Sequence, residues 1–445
     1  MKDLTIGNER TVILKFTLPI LLGNLFQQLY NTIDSIIVGN FLGKNSLAVV
    51  SDCFNINFAI FLIIIGLTLG TNILTAKFYG EKNIAKVKQA IDTSYVFILI
   101  TSILITILGI IFSKYILIFF KVPYTLMNEA NLFFKILMLG TIGSFGYNTI
   151  SSILRGIGDS KTPLYFLILS TAANIFLDIL FIVIFKSKSY GAAFATIISQ
   201  TISFIGIFIY FNRSYSEFKF NIKNINFSTY VFKLSLKIGL PAAIQKLFLS
   251  GGLIVNQILI NSFGETSIAA FAAASKLDSF AQMPAANLGD ALSVFTAQNL
   301  GANKKSRVKK GFISTFIIGF IICLIISVIV VIFSKNLMRL FVKDTSVISI
   351  GKNYLLIVGS FYIAYSAMNV TNGVLLGRGD SISAMISTIV SLWCIQLPIS
   401  IFMSYKIGVS GIWLGIPAGW VSGFALRLLF YFKGETKNSR EHKVP

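Results

Sequence analysis

The apolar residues of this chain are gathered into twelve runs of roughly 20 residues or more, separated by short polar breaks. A run of that length can cross the hydrocarbon core of a bilayer as an α-helix. Only 12% of the residues are charged, whereas a soluble domain carries about 25%. The pattern predicts an all-α polytopic membrane protein and excludes a soluble globular fold of this length.

The longest polar break, from Asn212 to Lys233, divides the runs into two sets of six. We predict transmembrane helices at 12–40, 54–76, 91–119, 130–153, 162–185, 190–211, 235–261, 268–297, 311–334, 352–376, 383–405 and 408–432. The corresponding domains are an N-terminal lobe (1–211), a cytoplasmic linker (212–234), a C-terminal lobe (235–432) and a cytoplasmic tail (433–445).

Basic residues outnumber acidic ones by 38 to 17 and are spread over many short loops. Most of them fall on one side of the membrane if the N-terminus is cytoplasmic, so the positive-inside rule predicts that both termini are cytoplasmic. We expect a multi-pass protein of the plasma membrane, and charge distributed in this way gives no indication of nucleic-acid binding. Asn24 and Gln27 interrupt the first apolar run, which indicates a retained span and not a cleaved signal peptide.

The two sets of six share short motifs at a constant offset of 221 positions. "TAKFYGEKN" at Thr75–Asn83 matches "TAQNLGANK" at Thr296–Lys304, and "LRGIGDS" at Leu154–Ser160 matches "LLGRGDS" at Leu375–Ser381. Because six is an even number, both copies enter the membrane from the same side. The sequence therefore predicts two pseudo-symmetric six-helix lobes related by an axis along the membrane normal, an arrangement in which transporters bind substrate between the halves.

Two carboxylates interrupt the apolar spans of the first half. Asp34 extends a stripe of polar side chains that share one face of the first span, namely Asn24, Gln27, Gln28, Asn31 and Ser35. Asp178 lies in "NIFLDILFIVIF", one turn after Asn174, and the sixth span adds Thr196 and Gln200. A carboxylate at the centre of a bilayer costs about 2.5–3.5 kcal/mol.

We therefore predict that Asp34 and Asp178 face the protein interior and exchange protons as a coupled pair during a transport cycle. The alternative is that both acids are structural and hydrogen bond to Asn and Thr on neighbouring helices. The repeat favours the first interpretation, because Asp34 falls on Val255 or Asn256 in the second half and Asp178 falls on Ile399.

Polar residues of both halves are candidates for a substrate cavity. They are Gln27, Asn31 and Gln200 in the first half and Asn256, Asp290, Tyr365 and Asn369 in the second. Asp290 could attract a cation, or it could pair with Lys246 instead. Tyr365 belongs to a tyrosine- and asparagine-rich face of the tenth span, which would suit a flat organic cation.

The residues also resemble those of the multidrug and toxic compound extrusion (MATE) transporters, from about Leu14 to Tyr431. The marks are "LPILLGNLFQQLYNTIDSIIVG", "LRGIGDSKTP", "NIFLDILFI", "GAAFAT" and "AQNLGA". The resemblance implies twelve helices in two lobes and export of mostly cationic, amphipathic compounds by proton or sodium antiport. It places the first-lobe ion site on Asp34, Asn174, Asp178 and Thr196, with sodium as a possible occupant.

Some members of that family also bind sodium through acids in the seventh and tenth spans. Here the seventh span has no acid before Glu265 and the tenth has none before Asp380. That departure favours coupling in the first lobe and a proton over sodium.

Two other classes of function compete with cation efflux. A lipid-linked saccharide flippase of related architecture is the alternative, although such proteins tend to have cationic cavities, whereas the buried charges assigned here are chiefly acidic. A membrane enzyme has little support, since the chain has one histidine and no nucleophile–base set. We expect no cofactor, small organic cations and the lipid bilayer as partners, and a monomer.

Overall fold

The computed structural model of the chain describes residues 3–441, apart from the side chains of Asn31, Ser35, Lys44, Ile63, Ile222 and residues 435–441. Its helices are numbered here by span. The first six are α1 (Glu9–Gly43), α2 (Asn45–Gly80), α3 (Ile84–Ile111), α4a (Met127–Leu139) with α4b (Thr141–Gly156), α5 (Lys161–Ile184) and α6 (Tyr190–Ser214). The remainder are α7 (Thr229–Asn261), α8 (Glu265–Gly301), α9 (Lys305–Arg339), α10a (Thr345–Gly359) with α10b (Tyr362–Gly377), α11 (Ser381–Ile407) and α12 (Val409–Glu441).

Short helical turns connect some of these helices. They are Ser113–Phe119, Tyr124–Leu126, Ser216–Phe218 and Ile222–Asn224. No β-strand occurs within residues 3–441. In a lipid environment this is expected, because a helix satisfies its backbone hydrogen bonds within the segment.

Each of the twelve predicted spans lies on a helix, so the all-α prediction is confirmed. Nine helices of the described chain are long and apolar enough to cross a membrane on their own, and the bent pair α10a–α10b, at 49°, makes a tenth. The helix at span four is broken at Gly140, and α8 is less apolar than its neighbours. Spans four and ten are interrupted at equivalent places, since Phe361 follows Gly140 by 221 positions.

The backbone repeats its unusual conformations at the same offset as the sequence. Lys82 and Asn303 have φ of 56° and 57°, and Gly158 and Gly379 have φ of 89° and 80°. Such left-handed residues are uncommon outside glycine and end helices or form tight turns. The matched motifs therefore fold alike, as the sequence repeat predicts.

The chain packs as two compact units. The first is built from Leu18–Leu240, and the second from Leu4–Thr17 together with the chain from Pro241 onward. Both junctions lie next to a helix-internal proline, Pro19 in α1 and Pro241 in α7. These units are defined by which residues pack together, whereas the predicted lobes are defined by the sequence repeat. The lobe boundaries therefore stay a prediction.

Hydrogen bonds hold the N-terminal segment within the second unit. Leu4 is buried, its amide donates to Gln298 Oε1 at 3.1 Å, and its carbonyl accepts from Asn299 Nδ2 at 3.2 Å. Arg307 forms an ion pair with Glu9 at 3.2 Å. The repeated "AQNLGA" motif is therefore the surface that receives this segment.

The segment before α7 is held in the same manner within the first unit. The amide of Asn226 donates to Asp92 Oδ2 at 3.1 Å, and the amide of Ser228 donates to Thr93 Oγ1 at 3.0 Å. Asp92 also forms an ion pair with Lys88. These contacts place the start of α7 beside α3.

Candidate functional site

The two acids of the first unit are neighbours in the structure although 144 positions separate them in the sequence. Asp34 on α1 is 4% exposed and Asp178 on α5 is 0% exposed. Their carboxyl groups lie within hydrogen-bonding reach of each other. A hydrogen bond between two carboxyl groups requires a proton on one of them, because an ionised carboxylate only accepts.

Asn174 connects Asp178 to α6. With the amide oriented to satisfy its neighbours, Asn174 Nδ2 donates to Asp178 Oδ2 at 2.8 Å and its oxygen accepts from the amide of Thr196 at 3.3 Å. Thr196 and Asn174 are both buried. The four residues that the sequence assigns to the ion site therefore lie together, on three helices of one unit.

Tyr30 is a further member of this cluster. It is not among the residues predicted from the sequence. Its hydroxyl lies 3.3 Å from Thr196 Oγ1. Tyr30 is three residues after Gln27 and four before Asp34, so it shares the polar face of α1. That spacing was the available signal.

Apolar side chains close to these residues in sequence belong to the packed interior of the first unit. Ile33 and Ile37 on α1, Ile182 on α5 and Ile197 on α6 belong to one packed cluster of the first unit. The α-helix of α5 ends at Asp178 and continues as a π-helical turn, Ile179–Ile184. Such turns are rare and occur frequently at functional sites.

Each acid keeps one oxygen without a protein partner. Asp34 Oδ1 and Asp178 Oδ1 are buried and form no hydrogen bond. Buried polar atoms are normally paired, so these two oxygens are available to bind a proton or a small cation. Oxygen ligands for a sodium ion would come from the same carboxyl groups, the Asn174 amide and the hydroxyls of Tyr30 and Thr196.

The candidate cavity residues of the first unit have different environments. Gln27 is exposed, whereas Gln200 is half-buried and hydrogen bonded to Ser144. The side chain of Asn31 lies outside the described part of the structure.

The candidates of the second unit also differ in burial. Asn256 is buried with an unpartnered Oδ1, while Asp290 is exposed. Asn369 donates to the carbonyl of Tyr365 at 2.9 Å, and the Tyr365 ring packs edge-on against Trp420 with centroids 5.0 Å apart. Asn369 and Tyr365 are therefore in direct contact.

A buried arginine in the second unit was missed by the sequence argument. Arg427 on α12 is 4% exposed and donates to Thr388 Oγ1 at 2.8 Å and to the carbonyl of Met368 at 3.1 Å. Gln245 donates to the same Thr388 at 2.7 Å and to Asn372 at 3.2 Å. No acid pairs with Arg427 in the described structure. Its position within a predicted span could have marked it as a buried basic residue.

Asp278 of α8 is buried with 9% exposure. Its Oδ2 accepts from Tyr354 Oη at 3.0 Å and from Gln282 Nε2 at 2.5 Å. The neighbouring Lys276 is exposed. Within residues 3–441, no group of three or more His, Cys, Asp or Glu side chains forms a metal centre.

The sequence of the chain matches a known protein family. A profile of the MatE family matches the chain twice, over residues 19–180 and 241–402. The chain is 31% identical over 437 residues to the probable multidrug resistance protein YpnP of Bacillus subtilis (strain 168), covering 98% of this chain and 97% of that protein. It is 25% identical over 434 residues to the probable multidrug resistance protein NorM of Thermotoga maritima, covering 96% and 93%.

Solved structures share the fold. An outward-facing conformation of a multidrug resistance MATE family transporter of the MOP superfamily matches with a TM-score of 0.92 at 22% identity, covering 100% of this chain and 99% of that one. A MATE in the bent conformation matches with a TM-score of 0.92 at 23% identity, covering 99% and 98%. Because the family profile matches both halves and a curated relative aligns over nearly the whole length, the chain belongs to the MATE family of membrane transporters.

Proposed function

We propose that this protein is a secondary active exporter of organic, mostly cationic and amphipathic compounds, driven by antiport of a cation with alternating access between its two lobes. The coupling ion is a proton rather than sodium, no cofactor is needed, and the protein works as a monomer. It lies in the plasma membrane with both termini in the cytoplasm. Curated relatives carry the name multidrug resistance protein, and the contact between Asp34 and Asp178 is the observation that carries the proposal.

The contact suggests how one cation replaces another. A carboxyl pair that shares one proton carries one negative charge, which an organic cation can offset. Binding of a second proton neutralises the pair and removes that attraction, because coupled acids titrate as a unit. Exchange of one proton for one monovalent organic cation therefore conserves the charge of the site.

The protein frame around the pair stays neutral during this exchange. Asn174 donates to Asp178 and accepts from the backbone of Thr196, and neither group ionises. Their role is to hold the Asp178 carboxyl toward Asp34. A frame of this kind orients the acid without a fixed countercharge that would keep it ionised.

Two features favour a proton over sodium. The two carboxyl groups lie within hydrogen-bonding reach, an arrangement that one shared proton would stabilise. In the second unit, the network of Gln245, Asn372 and Arg427 contains a buried positive charge, which opposes cation binding between the seventh and tenth helices. Acids on those two helices form the sodium site of some relatives.

We assign substrate contacts to the polar candidates of each half taken by itself, Gln27, Asn31 and Gln200 in the first and Asn256, Asp290, Tyr365 and Asn369 in the second. Tyr365 and the adjacent Trp420 offer aromatic surface to a flat cation. Asp290 adds a carboxylate that is exposed in the second unit.

The test is transport by the purified protein in proteoliposomes. An imposed pH gradient should drive movement of tetraphenylphosphonium by the wild type, whereas an imposed sodium gradient should not. Asp34→Asn and Asp178→Asn should each abolish the gradient-driven movement while leaving helical content and monodispersity unchanged. Glu81→Gln is the matched control, since Glu81 is an acid of the same unit on the loop after α2, 3.9 Å from Lys86, and it should transport normally.

Retention of gradient-driven transport in both aspartate variants would falsify the coupling role. Transport driven by sodium alone would reverse the choice of ion while leaving the site in place.

A further inference from the structure

A basic side chain lies in the middle of a membrane span of the second unit. Lys246 belongs to α7, a helix of 33 residues, and its side chain is exposed. At 1.5 Å per residue it lies about 16 Å from the nearer limit of the predicted span 235–261. A lysine at this depth is too far from the membrane surface to extend its ammonium group to it. Because lipid does not solvate such a charge, an exposed lysine here faces a water-filled cavity.

The lipid-facing stripe of α7 is a different one. Four exposed aliphatic residues share one side of the helix, namely Leu240, Leu247, Ile254 and Ile258. Their stripe lies about 100° around the helix from Lys246. Lys246 shares its own face with Ser250, Leu253 and Gln257. Ser250 and Gln257 are half-buried and polar, so this face suits contact with water better than contact with hydrocarbon.

The sequence repeat relates this face to the polar stripe of α1. The helix-internal prolines, Pro19 and Pro241, set an offset of 222 positions between the two helices. At that offset Asn24 matches Lys246, Gln28 matches Ser250 and Ser35 matches Gln257. The polar stripe of α1 includes two of the candidate cavity residues of the first half. The equivalent face of α7 therefore carries a fixed positive charge where α1 carries an amide.

No acid neutralises this charge within the described chain. None of its ion pairs involves Lys246, so the pairing with Asp290 that the sequence left open is not formed. A lysine ammonium offers three hydrogen-bond donors and a full positive charge. Both are available to an anionic group of a bound molecule.

A second basic group close to this part of α7 also lacks an acid. Gln245, which precedes Lys246, donates to Thr388 Oγ1 at 2.7 Å, and the same oxygen accepts from Arg427 Nη2 at 2.8 Å. Arg427 is 4% exposed, and its Nε is buried without a partner. Charges interact more strongly through protein than through water. An anion beside Lys246 would therefore offset the positive potential of both residues.

We propose that Lys246 recognises the carboxylate of substrates that carry a carboxylate as well as a cationic centre. This inference rests on the proposed export of organic cations and narrows its substrate class. A compound with a cationic centre alone meets a like charge at Lys246, which disfavours it relative to a compound that also has a carboxylate. Lys246 thus sets specificity from the second unit, whereas Asp34 and Asp178 exchange the coupling ion in the first.

Two dyes that differ only at the carboxyl group provide the measurement. Rhodamine 110 has a free carboxylate beside its cationic ring system, and rhodamine 123 is its methyl ester. Their dissociation constants are obtained from fluorescence anisotropy with the purified full-length protein in detergent at neutral pH, without an ion gradient. The quantity compared is the ratio of the Kd of rhodamine 110 to the Kd of rhodamine 123, which a general loss of folded protein does not change.

Lys246→Gln should raise this ratio about fivefold, the upper value for an ion pair in contact with water. Lys246→Arg keeps the charge and should keep the ratio near that of the wild type. Lys335→Gln is the matched control, because Lys335 is an exposed lysine of the same unit near the end of α9, and the ratio should not change.

An unchanged ratio in Lys246→Gln, or an equal rise in Lys335→Gln, would overturn the inference. Binding of rhodamine 123 but not of rhodamine 110 by the wild type contradicts this inference and leaves the proposed function standing. Binding of neither dye contradicts both.

Discussion

Alanine at Gly377 should destabilise the protein much more than alanine at Gly156. The two glycines occupy equivalent positions, at the ends of α10b and α4b, in the repeated "LLGRGDS" and "LRGIGDS" motifs. A Cβ at Gly377 would lie 2.4 Å from the backbone oxygen of Ser293 and 2.6 Å from Thr296 Cβ. Both atoms belong to α8, so α8 and α10b would have to move apart.

The contacts at Gly156 are the same in kind and looser. A Cβ there would lie 3.0 Å from the backbone oxygen of Asn72 and 3.0 Å from Thr75 Cβ. Overpacking of a well-packed interior costs about 1–3 kcal/mol, and replacement of a helical glycine by alanine returns about 0.5–1 kcal/mol at each position. We therefore expect a net loss of about 1–2 kcal/mol for Gly377→Ala and a loss near zero for Gly156→Ala.

The free energies are obtained from reversible unfolding in mixed micelles of dodecyl maltoside and sodium dodecyl sulfate, followed by circular dichroism. Gly434→Ala is the control, because a Cβ there would meet only Arg378 Nη1, at an ordinary 3.6 Å. Equal losses for Gly377→Ala and Gly156→Ala would refute the argument that the spacing between α8 and α10b decides the cost. The same holds if Gly156→Ala is the more harmful change.

Two further substitutions test the polar networks. Tyr30→Phe removes a hydroxyl that makes a long, 3.3 Å contact with Thr196, so we expect the proton-binding free energy of the site to fall by about 0.5 kcal/mol. In proteoliposomes the proton concentration for half-maximal substrate uptake should then rise about two- to threefold. Unchanged uptake would remove Tyr30 from the site. Thr388→Val removes the acceptor shared by Gln245 and Arg427 and should lower the unfolding free energy by about 1–3 kcal/mol, whereas Thr371→Val, whose hydroxyl bonds only to its own helix, should change it little.

The helices of this fold could be read from the sequence because lipid imposes length and apolarity on each span. The exceptions have local causes that hydropathy does not report. The run at 130–153 is one apolar segment, yet its helix is broken at Gly140, and the tenth span bends by 49° between α10a and α10b. Nor does hydropathy indicate that Leu4–Thr17 packs with the second unit, since that depends on particular hydrogen bonds to Gln298 and Asn299.

The sequence predicts which residues form the candidate site better than it predicts how they are arranged. Helical spacing placed Asp34 on a polar face, and the apolar setting of Asp178 marked it as costly. The spacing between Asn174 and Asp178 indicates a shared face of one helix, but the link from Asn174 to the Thr196 backbone depends on how α5 packs against α6. Burial of Asp278 was equally inaccessible, because it depends on the tertiary packing of aromatic side chains from α8, α10a, α10b and α12.

The buried charges follow a different rule from the scaffold that carries them. Left-handed turns, helix breaks and glycine contacts recur in both units at an offset of 221 positions, because the same packing imposes the same constraints. The charges do not recur, since Asn57 stands opposite Asp278 and Ile399 stands opposite Asp178. One unit folds with an asparagine or an isoleucine where the other has a carboxylate, so the fold itself does not require the acid. A neutral substitution at Asp178 should consequently alter ion exchange before it alters folding.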